Sequence, residues 1–363
     1  MFGRPGQQGG DKCIAGEFVM KAAVLTGIRR AQVVDLPKPS IKNDSDVLLK
    51  VAVVGVCGSD VHYYLSGRIG SKIVQYPYVV GHECSATVEA VGKKVKHVKP
   101  GDTVAVEPAV SCHECPQCKM GRENTCCNLK FLGVPGELAG CLCEYIVMPG
   151  DCCLPTNGRL THEQAALCEP FAIGVYTVQQ SRLAKGDKIA IFGSGPIGLS
   201  CLVVARIQGA GFVYMTDRVD YRVEFAKKAG ASWGGNPDKN DVVKDILQLE
   251  PLGVDITCEC AGKQETIDQA VEVLRPGGIL MLVGIPESSR VSFPIDRIRR
   301  KEITIINVRR QNHCDSRAIE LVASGRAAID SFVTHRFKLE QANEAFDIVA
   351  NYRDGVVKAM IIL

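Results

Sequence analysis

The chain has 363 residues, 46% of them hydrophobic and 23% charged, with 36 Gly, 17 Pro and 6% aromatics. A length of this order argues for about two domains, and the composition excludes a disordered chain or a collagen-like repeat. Lys and Arg total 43 against 40 Asp and Glu, a formal net charge of +3, too small a surplus for a dedicated nucleic-acid or anionic-membrane binder. The unusual feature is 17 cysteines. An odd number cannot all pair, and a chain this long buries a core without disulfide staples, so the cysteines must be read by position.

Residues 1–19 are rich in Gly and Gln without periodicity and are expected to form a disordered arm. The opening MFGRPGQQGGDKC lacks an apolar core for a signal peptide. No run of about 18 apolar residues follows, so no membrane span is expected, and the expected location is the cytoplasm. From Met20 to about Asp151 the signals are for β-structure. Val47–Val54 and Ala86–Val91 are Val-rich and punctuated by Gly, Pro and Asp, and Lys99-Pro-Gly-Asp turns into a strand Thr103–Val106. This predicts a barrel-like or sandwich module.

Thr161–Cys168 reads as a helix start with Thr161 as its N-cap. The all-apolar Ile189–Phe192 then suits a strand buried on both faces. Helices and short apolar strands alternate after it: Gly198–Gln208, Val213–Thr216, Arg222–Ala229, Val254–Cys260, Thr266–Leu274, Gly278–Val283 and Ile303–Val308. That pattern predicts a parallel sheet wound with helices. The stretch Ser316–Leu363 returns to α+β character and ends in a strand over Val357–Leu363.

Gly193-Ser-Gly195-Pro-Ile197-Gly198 follows a predicted strand and opens a predicted helix. The first glycine permits the tight turn, the second a close approach to a pyrophosphate, and the third close helix–strand packing. Asp217 ends the next strand, where a carboxylate accepts hydrogen bonds from the ribose hydroxyls and repels a 2′-phosphate, so NAD is expected over NADP. Arg218 and Arg222 stand close enough in sequence to soften that preference.

Two constellations offer metal ligands. Cys112, Cys115, Cys118 and Cys126 place four thiolates in one loop, suiting a closed structural zinc, with an iron–sulfur cluster as the rival. His113 within that loop reads as a solvated bystander. Cys57-Gly-Ser59-Asp60-Val-His62 and Gly81-His82-Glu83 offer one thiolate and one imidazole, to which a catalytic zinc adds a third protein ligand and an open position. Glu83 and Glu169 are the candidates for that third ligand. The alternative is that Cys57 and His82 are core residues that never meet.

These motifs, with Glu169-Pro170 and Gly193-x-Gly-x-x-Gly, stand in the order found in zinc-dependent medium-chain dehydrogenases, which the chain resembles from about Met20 to Leu363. Cys57 to Tyr63, Gly67-Arg-Ile-Gly70, Glu169-Pro170 and Thr334-His-Arg-Phe337 resemble the sorbitol, xylitol and arabinitol dehydrogenase branch. The resemblance implies an α/β chain in which a GroES-like β-barrel catalytic domain (20–170 and 307–363) is interrupted by a doubly wound Rossmann NAD-binding domain (171–306). It further implies a catalytic zinc on Cys57, His82 and Glu83, with Glu169 in or beside the sphere, and a homo-oligomer, tetramer or dimer, joined near the edge strand Ile279–Val283. In many alcohol dehydrogenases a cysteine is the third ligand, and Cys168 adjoins Glu169; the Glu-Pro pair favours the glutamates.

By the same resemblance, the metal's charge would lower the pKa of the substrate hydroxyl, and its proton would leave through Ser59 and His62. Asp60 would orient a zinc ligand, while Tyr63, Glu169 and Arg309 would contact a small polyol or alcohol substrate. Gly193, Gly195, Ile197, Gly198, Asp217 and Arg222 would hold NAD, with Val283, Gly284, Ile285, Asn307 and Arg309 around its nicotinamide. The expected reaction is oxidation of a secondary alcohol of a sorbitol- or xylitol-like polyol to the ketose. Threonine or simple alcohol dehydrogenation is the alternative within the family, and an NAD-binding redox or metal-sensing protein the alternative outside catalysis. One region departs from the branch: Arg310 stands where many polyol dehydrogenases carry an aromatic, and the following Gln311-Asn-His-Cys314 also differs. An extra cation there would suit an acidic or phosphorylated polyol, against the plainer expectation of a solvent-facing side chain. The basic cluster Arg297, Arg299, Arg300 and Lys301 lacks interleaved aromatics and reads as a solvated face.

Overall fold

The computed structural model describes residues 19–286 and 288–363. The expected N-terminal arm therefore lies outside the described residues, apart from Val19, which opens the strand Val19–Gly27.

Alternating β-branched residues build the first half. In Asp46–Gly55, Val47, Leu49 and Val51 are buried on one face, as a half-buried pleat requires. This strand pairs antiparallel with Glu83–Val91 and Tyr145–Pro149, within a seven-stranded sheet completed by Thr103–Val106, Cys153–Pro155, Lys358–Ile362 and Val333–Lys338. The end of the chain thus returns to the sheet begun near residue 46, pairing Met360 with Gly55 and Ile361 with Val54. The sheet also sets Glu83 opposite Gly55.

The second half is a six-stranded parallel sheet. Its spatial order is Trp233–Gly235, Phe212–Thr216, Lys188–Phe192, Val254–Glu259, Leu274–Leu282 and Thr304–Asn307. Ile189, Ile191, Val213 and Met215 are fully buried, in keeping with strands covered on both faces by helices. The chain leaves the central strand Lys188–Phe192 first in one direction and then in the other, which opens a crevice beyond the carboxyl ends of Lys188–Phe192 and Val254–Glu259. The expected edge at Ile279–Val283 is corrected: Leu274–Leu282 is paired on both sides, and the edge strand is Thr304–Asn307. Periodicity did not reveal which apolar strand lies outermost, because both read as short apolar runs.

The helix expected to start over Thr161–Cys168 runs His162–Gln180, straight through Pro170. Its start is the expected one: Thr161 Oγ1 accepts from Gln164 N at 3.2 Å, and Gln164 Oε1 accepts from Thr161 N at 2.9 Å. Proline forfeits one helical N–H bond, but packing on both sides outweighs it. Phe171 and Val178 share one core with Val53 and Ala105 of the first sheet and Ile189 of the second. At Gly174 a Cβ would lie 2.6 Å from Ser200 Cβ, so this helix touches Pro196–Gln208 closely. It is the beam between the two sheets, and it carries Glu169.

Arg297, Arg299, Arg300 and Lys301 lie on the helix Ile295–Lys301, where they are spent locally. Arg300 pairs with Asp296 at 2.8 Å, Arg297 with Glu272, and Lys301 Nζ donates to the carbonyls of Glu272 and Leu274, each at 2.7 Å. No disulfide occurs among the described residues. No described helix is long and apolar enough to cross a membrane.

Candidate active site

Cys57 sits at the N-cap of the short helix Gly58–Ser66, and His82 and Glu83 lie where Gly81 turns into the strand Glu83–Val91. The turn uses a left-handed backbone at Gly81, φ +97°. One ligand atom each from Cys57, His82 and Glu83 all fall within 4.8 Å of one another. The two cysteine and histidine loops therefore do meet. Buried Asp60 binds them together: its Oδ1 accepts from Gly81 N at 3.2 Å and lies 3.4 Å from His82 Nδ1, and its Oδ2 accepts from Cys57 N at 3.3 Å. A carboxylate on the second ring nitrogen fixes the ring orientation of a ligating histidine. Burial pushes the His82 pKa down, but Asp60 and Cys57 outweigh it and hold it well above the ordinary value. One soft, one borderline and one hard donor converging in this way suit zinc.

Glu83 also faces the buried Lys358, whose ammonium donates to Val56 O at 3.1 Å. Glu169 stands outside the three-ligand group but within its field. Burial raises its pKa to about 7, His82 and Arg310 pull it back, and Glu83 pushes it further up. The neighbouring Cys168 donates instead to Gln164 O at 3.3 Å and stands outside the three-ligand group. Ser59, His62 and Tyr63 share the helix Gly58–Ser66; Ser59 and His62 are half-buried, and Tyr63 is buried. Burial and then Asp60 push the Tyr63 phenol up to about 12, which keeps it a neutral donor.

Arg310 overturns its expectation of facing solvent. Its side chain is only 10% exposed and pairs with Glu107 at 2.7 Å, with Glu169 Oε1 at 3.9 Å. Its guanidinium lies 4.1 Å above the Phe131 ring, and Phe131 packs in turn on His82, centroids 5.2 Å apart. Gln311 donates to Glu107 and, at 2.6 Å, to Asp315. Burial pushes the Glu107 pKa up, but Arg310 outweighs it and leaves it lowered; burial and Glu107 raise that of Asp315 well above the usual range. Glu107 and Asp315 escaped sequence reasoning, and Gln311 stood out only as a departure from the branch, because no local motif joins Glu107 to a segment 203 residues away.

In the four-cysteine loop the sulfurs of Cys112, Cys115, Cys118 and Cys126 also lie within 4.8 Å of one another. Cys112–Cys126, Cys115–Cys118 and Cys115–Cys126 are 3.4, 3.5 and 3.9 Å apart. Zinc–sulfur bonds of about 2.3 Å give tetrahedron edges of about 3.8 Å, so this spacing fits one zinc. In an iron–sulfur cluster the four cysteines are divided among two or four irons, so all four sulfurs do not stand this close together. Backbone N–H groups of Cys112, Cys127 and Asn128 point at the sulfurs at 3.3–3.4 Å and stabilise thiolates. His113 is turned outward onto Asp151 at 2.6 Å.

At the parallel sheet, Gly193 has φ +103°, and a Cβ on Gly198 would lie 1.9 Å from Gly193 O. Gly195 and Ile197 flank the start of the helix Pro196–Gln208. Asp217 at the neighbouring strand end accepts from Ser194 N at 2.8 Å and from Val219 N at 2.9 Å. Arg218 turns outward to Asp238 at 2.9 Å, whereas Arg222 stays beside Gly195 and under Tyr352, 4.7 Å from its ring centroid. Val283 and Gly284 follow Leu274–Leu282, their N–H groups donating to Glu259 O at 2.9 and 2.8 Å, with exposed Ile285 beyond. Glu259 was missed by sequence reasoning. Its buried carboxylate accepts from Ala261 N, Gly262 N and Thr266 Oγ1 and shapes the facing loop. Asn307 ends the edge strand of the parallel sheet, so 307–310 leads from that sheet to Glu169.

The alcohol dehydrogenase GroES-like domain model matches residues 43–158, and the zinc-binding dehydrogenase model matches 196–324. A sorbitol dehydrogenase of Bacillus subtilis is 38% identical over 94% of this chain and 97% of its own. The chain belongs to the zinc-dependent medium-chain dehydrogenases. Among other members of that family, the D-xylulose reductase A of Aspergillus niger is 36% identical, covering 90% of this chain and 92% of its own. An Escherichia coli oxidoreductase of unknown specificity superposes with a TM-score of 0.90 at 31% identity, over 95% of this chain and 99% of that one. The family's two-part α/β architecture, a GroES-like β domain with a Rossmann domain, accounts for the two sheets.

Proposed function

We propose that this dehydrogenase oxidises a secondary alcohol of a sorbitol- or xylitol-like polyol to the ketose with NAD, using one catalytic and one structural zinc. The observation that carries this reading is the meeting of the two centres. The segment leaving the parallel sheet at Asn307 delivers Arg310 to within 3.9 Å of Glu169, beside the Cys57–His82–Glu83 group.

Cys57, His82 and Glu83 would hold the catalytic zinc, and Cys112, Cys115, Cys118 and Cys126 the structural one. When bound, the zinc supplies the charge that acidifies the substrate hydroxyl, and NAD supplies the acceptor for hydride. Ser59 takes the hydroxyl proton and passes it to His62, one turn along the same helix, which releases it to solvent. Tyr63, held neutral, donates to a substrate oxygen; Glu169 and Arg309 orient the remaining hydroxyls. Asp217 grips the adenosine ribose, Arg222 the pyrophosphate side, and Gly193, Gly195, Ile197 and Gly198 let the backbone approach. Val283, Gly284, Ile285, Asn307 and Arg309 border the nicotinamide. The charge of Arg310 is met by Glu107 and Glu169, which favours an uncharged polyol over an acidic or phosphorylated one.

The same reading divides the chain into a catalytic domain of 20–170 and 307–363 around an NAD-binding domain of 171–306. It makes the protein a cytoplasmic homo-oligomer, tetramer or dimer. The test is NADH absorbance after adding NAD with sorbitol, xylitol, arabinitol, threonine or ethanol. Polyols are expected to turn over; turnover of threonine or ethanol alone, or of nothing, contradicts the reading.

A further inference from the structure

We propose that Asn124, inside the four-cysteine loop, is a positioning residue for the polyol site: through it the loop fixes the segment 307–314 that carries Arg309 and Arg310. The proposal rests on the reading of Arg309 as a substrate and nicotinamide contact.

The segment needs such a clamp. Between Asn307 and the helix Asp315–Ala323 it has no regular structure, and both Arg310 and His313 hold left-handed backbone, φ +55° each. Non-glycine residues stay in that region only where their surroundings over-determine them. The surroundings here are the four-cysteine loop. Asn124 Nδ2 donates to Arg309 O at 3.1 Å, Asn124 N to Asn312 Oδ1 at 3.4 Å, and Asn312 Nδ2 to Gly121 O at 2.8 Å. His313 Nε2 meets Glu123 Oε2 at 2.5 Å. On the other side, Arg310 and Gln311 are held by Glu107.

All the loop partners fall between Cys118 and Cys126, where the regular structure is the short turn Pro116–Lys119 and the single turn Glu123–Thr125. A segment so short takes its shape from the sulfurs that close it. Asn124 is buried, so losing its amide removes the donor that holds the Arg309 carbonyl against the loop. The four-cysteine site therefore sets the position of Arg309 without touching the reacting atoms.

Asn124→Asp keeps the side chain's size and removes the donor. The expected result is two zinc per chain, a melting temperature near that of the unaltered protein, and kcat/KM for polyol lowered about tenfold. The loss should lie in kcat and the polyol KM, while the NAD KM, set largely at Asp217, stays within about twofold. Hydrogen–deuterium exchange should quicken in 307–314 and not around Cys57. Unchanged kcat/KM and exchange would overturn the proposal, as would a loss that simply follows missing zinc or unfolded protein. Should Asn124→Asp not fold, Asn312→Ala removes two of the same contacts from the segment's side and is expected to give the same pattern. If the unaltered protein oxidises no polyol, the functional reading fails, while the exchange pattern still decides the clamp.

Discussion

At Asp217 the carboxylate already takes two backbone N–H groups, one from the glycine-rich loop and one from its own turn. Each oxygen keeps a lone pair for a ribose hydroxyl, so one residue sets both the loop and the cofactor. Asp217→Ala is expected to weaken NAD roughly 10- to 100-fold and NADP much less, measured by NADH and NADPH titration; equal losses would contradict the ribose role. Glu169 gives a pH signature. Its pKa rises from 4.5 to about 7 on folding, burial being the main cause. A raised carboxyl favours the folded state below its unfolded pKa, and that contribution is lost as pH climbs through the folded value. In metal-depleted protein, Glu169→Gln should therefore melt higher than the parent at pH 8 and equal to it near pH 4.5. A difference independent of pH would show that the burial of this acid is not what perturbs it.

Among the elements, the glycine-rich turn was legible because its chemistry is local: six residues carry the turn, the phosphate approach and the helix contact. Gly198 makes the point, since a Cβ there would strike Gly193 O at 1.9 Å. Gly198→Ala should push the turn from its strand, costing of the order of 1–3 kcal/mol in thermal or denaturant unfolding, with NADH affinity falling in parallel. The metal ligands were legible for a similar reason, each being a short motif, although only folding shows that Cys57 and His82 meet. What sequence could not show depends on distant partners. Arg310 looked like a surface cation because Glu107, which buries it, lies 203 residues away. The helix through Pro170 was legible at its start, but its reach to Gln180 was not, because the packing that carries it on comes from two different sheets. The edge strand was misplaced because strand order is a property of the sheet rather than of any one run.

For the molecule as a whole, the cysteine count resolves into places. Four close one loop, one faces His82 and Glu83, and most of the remainder among the described residues are buried free thiols, with Cys127 exposed beside the loop. The two proposed metal centres differ in their ligands: one has three protein ligands, while the other has four, and its loop holds the segment 307–314 by hydrogen bonds. The measurement that tests this most directly is zinc per chain in Cys57→Ala beside the unaltered protein, with polyol oxidation followed on the same samples. The account predicts two zinc falling to one, with NADH still bound and polyol oxidation abolished. Retention of two zinc with full activity, or loss of both ions together, would contradict it.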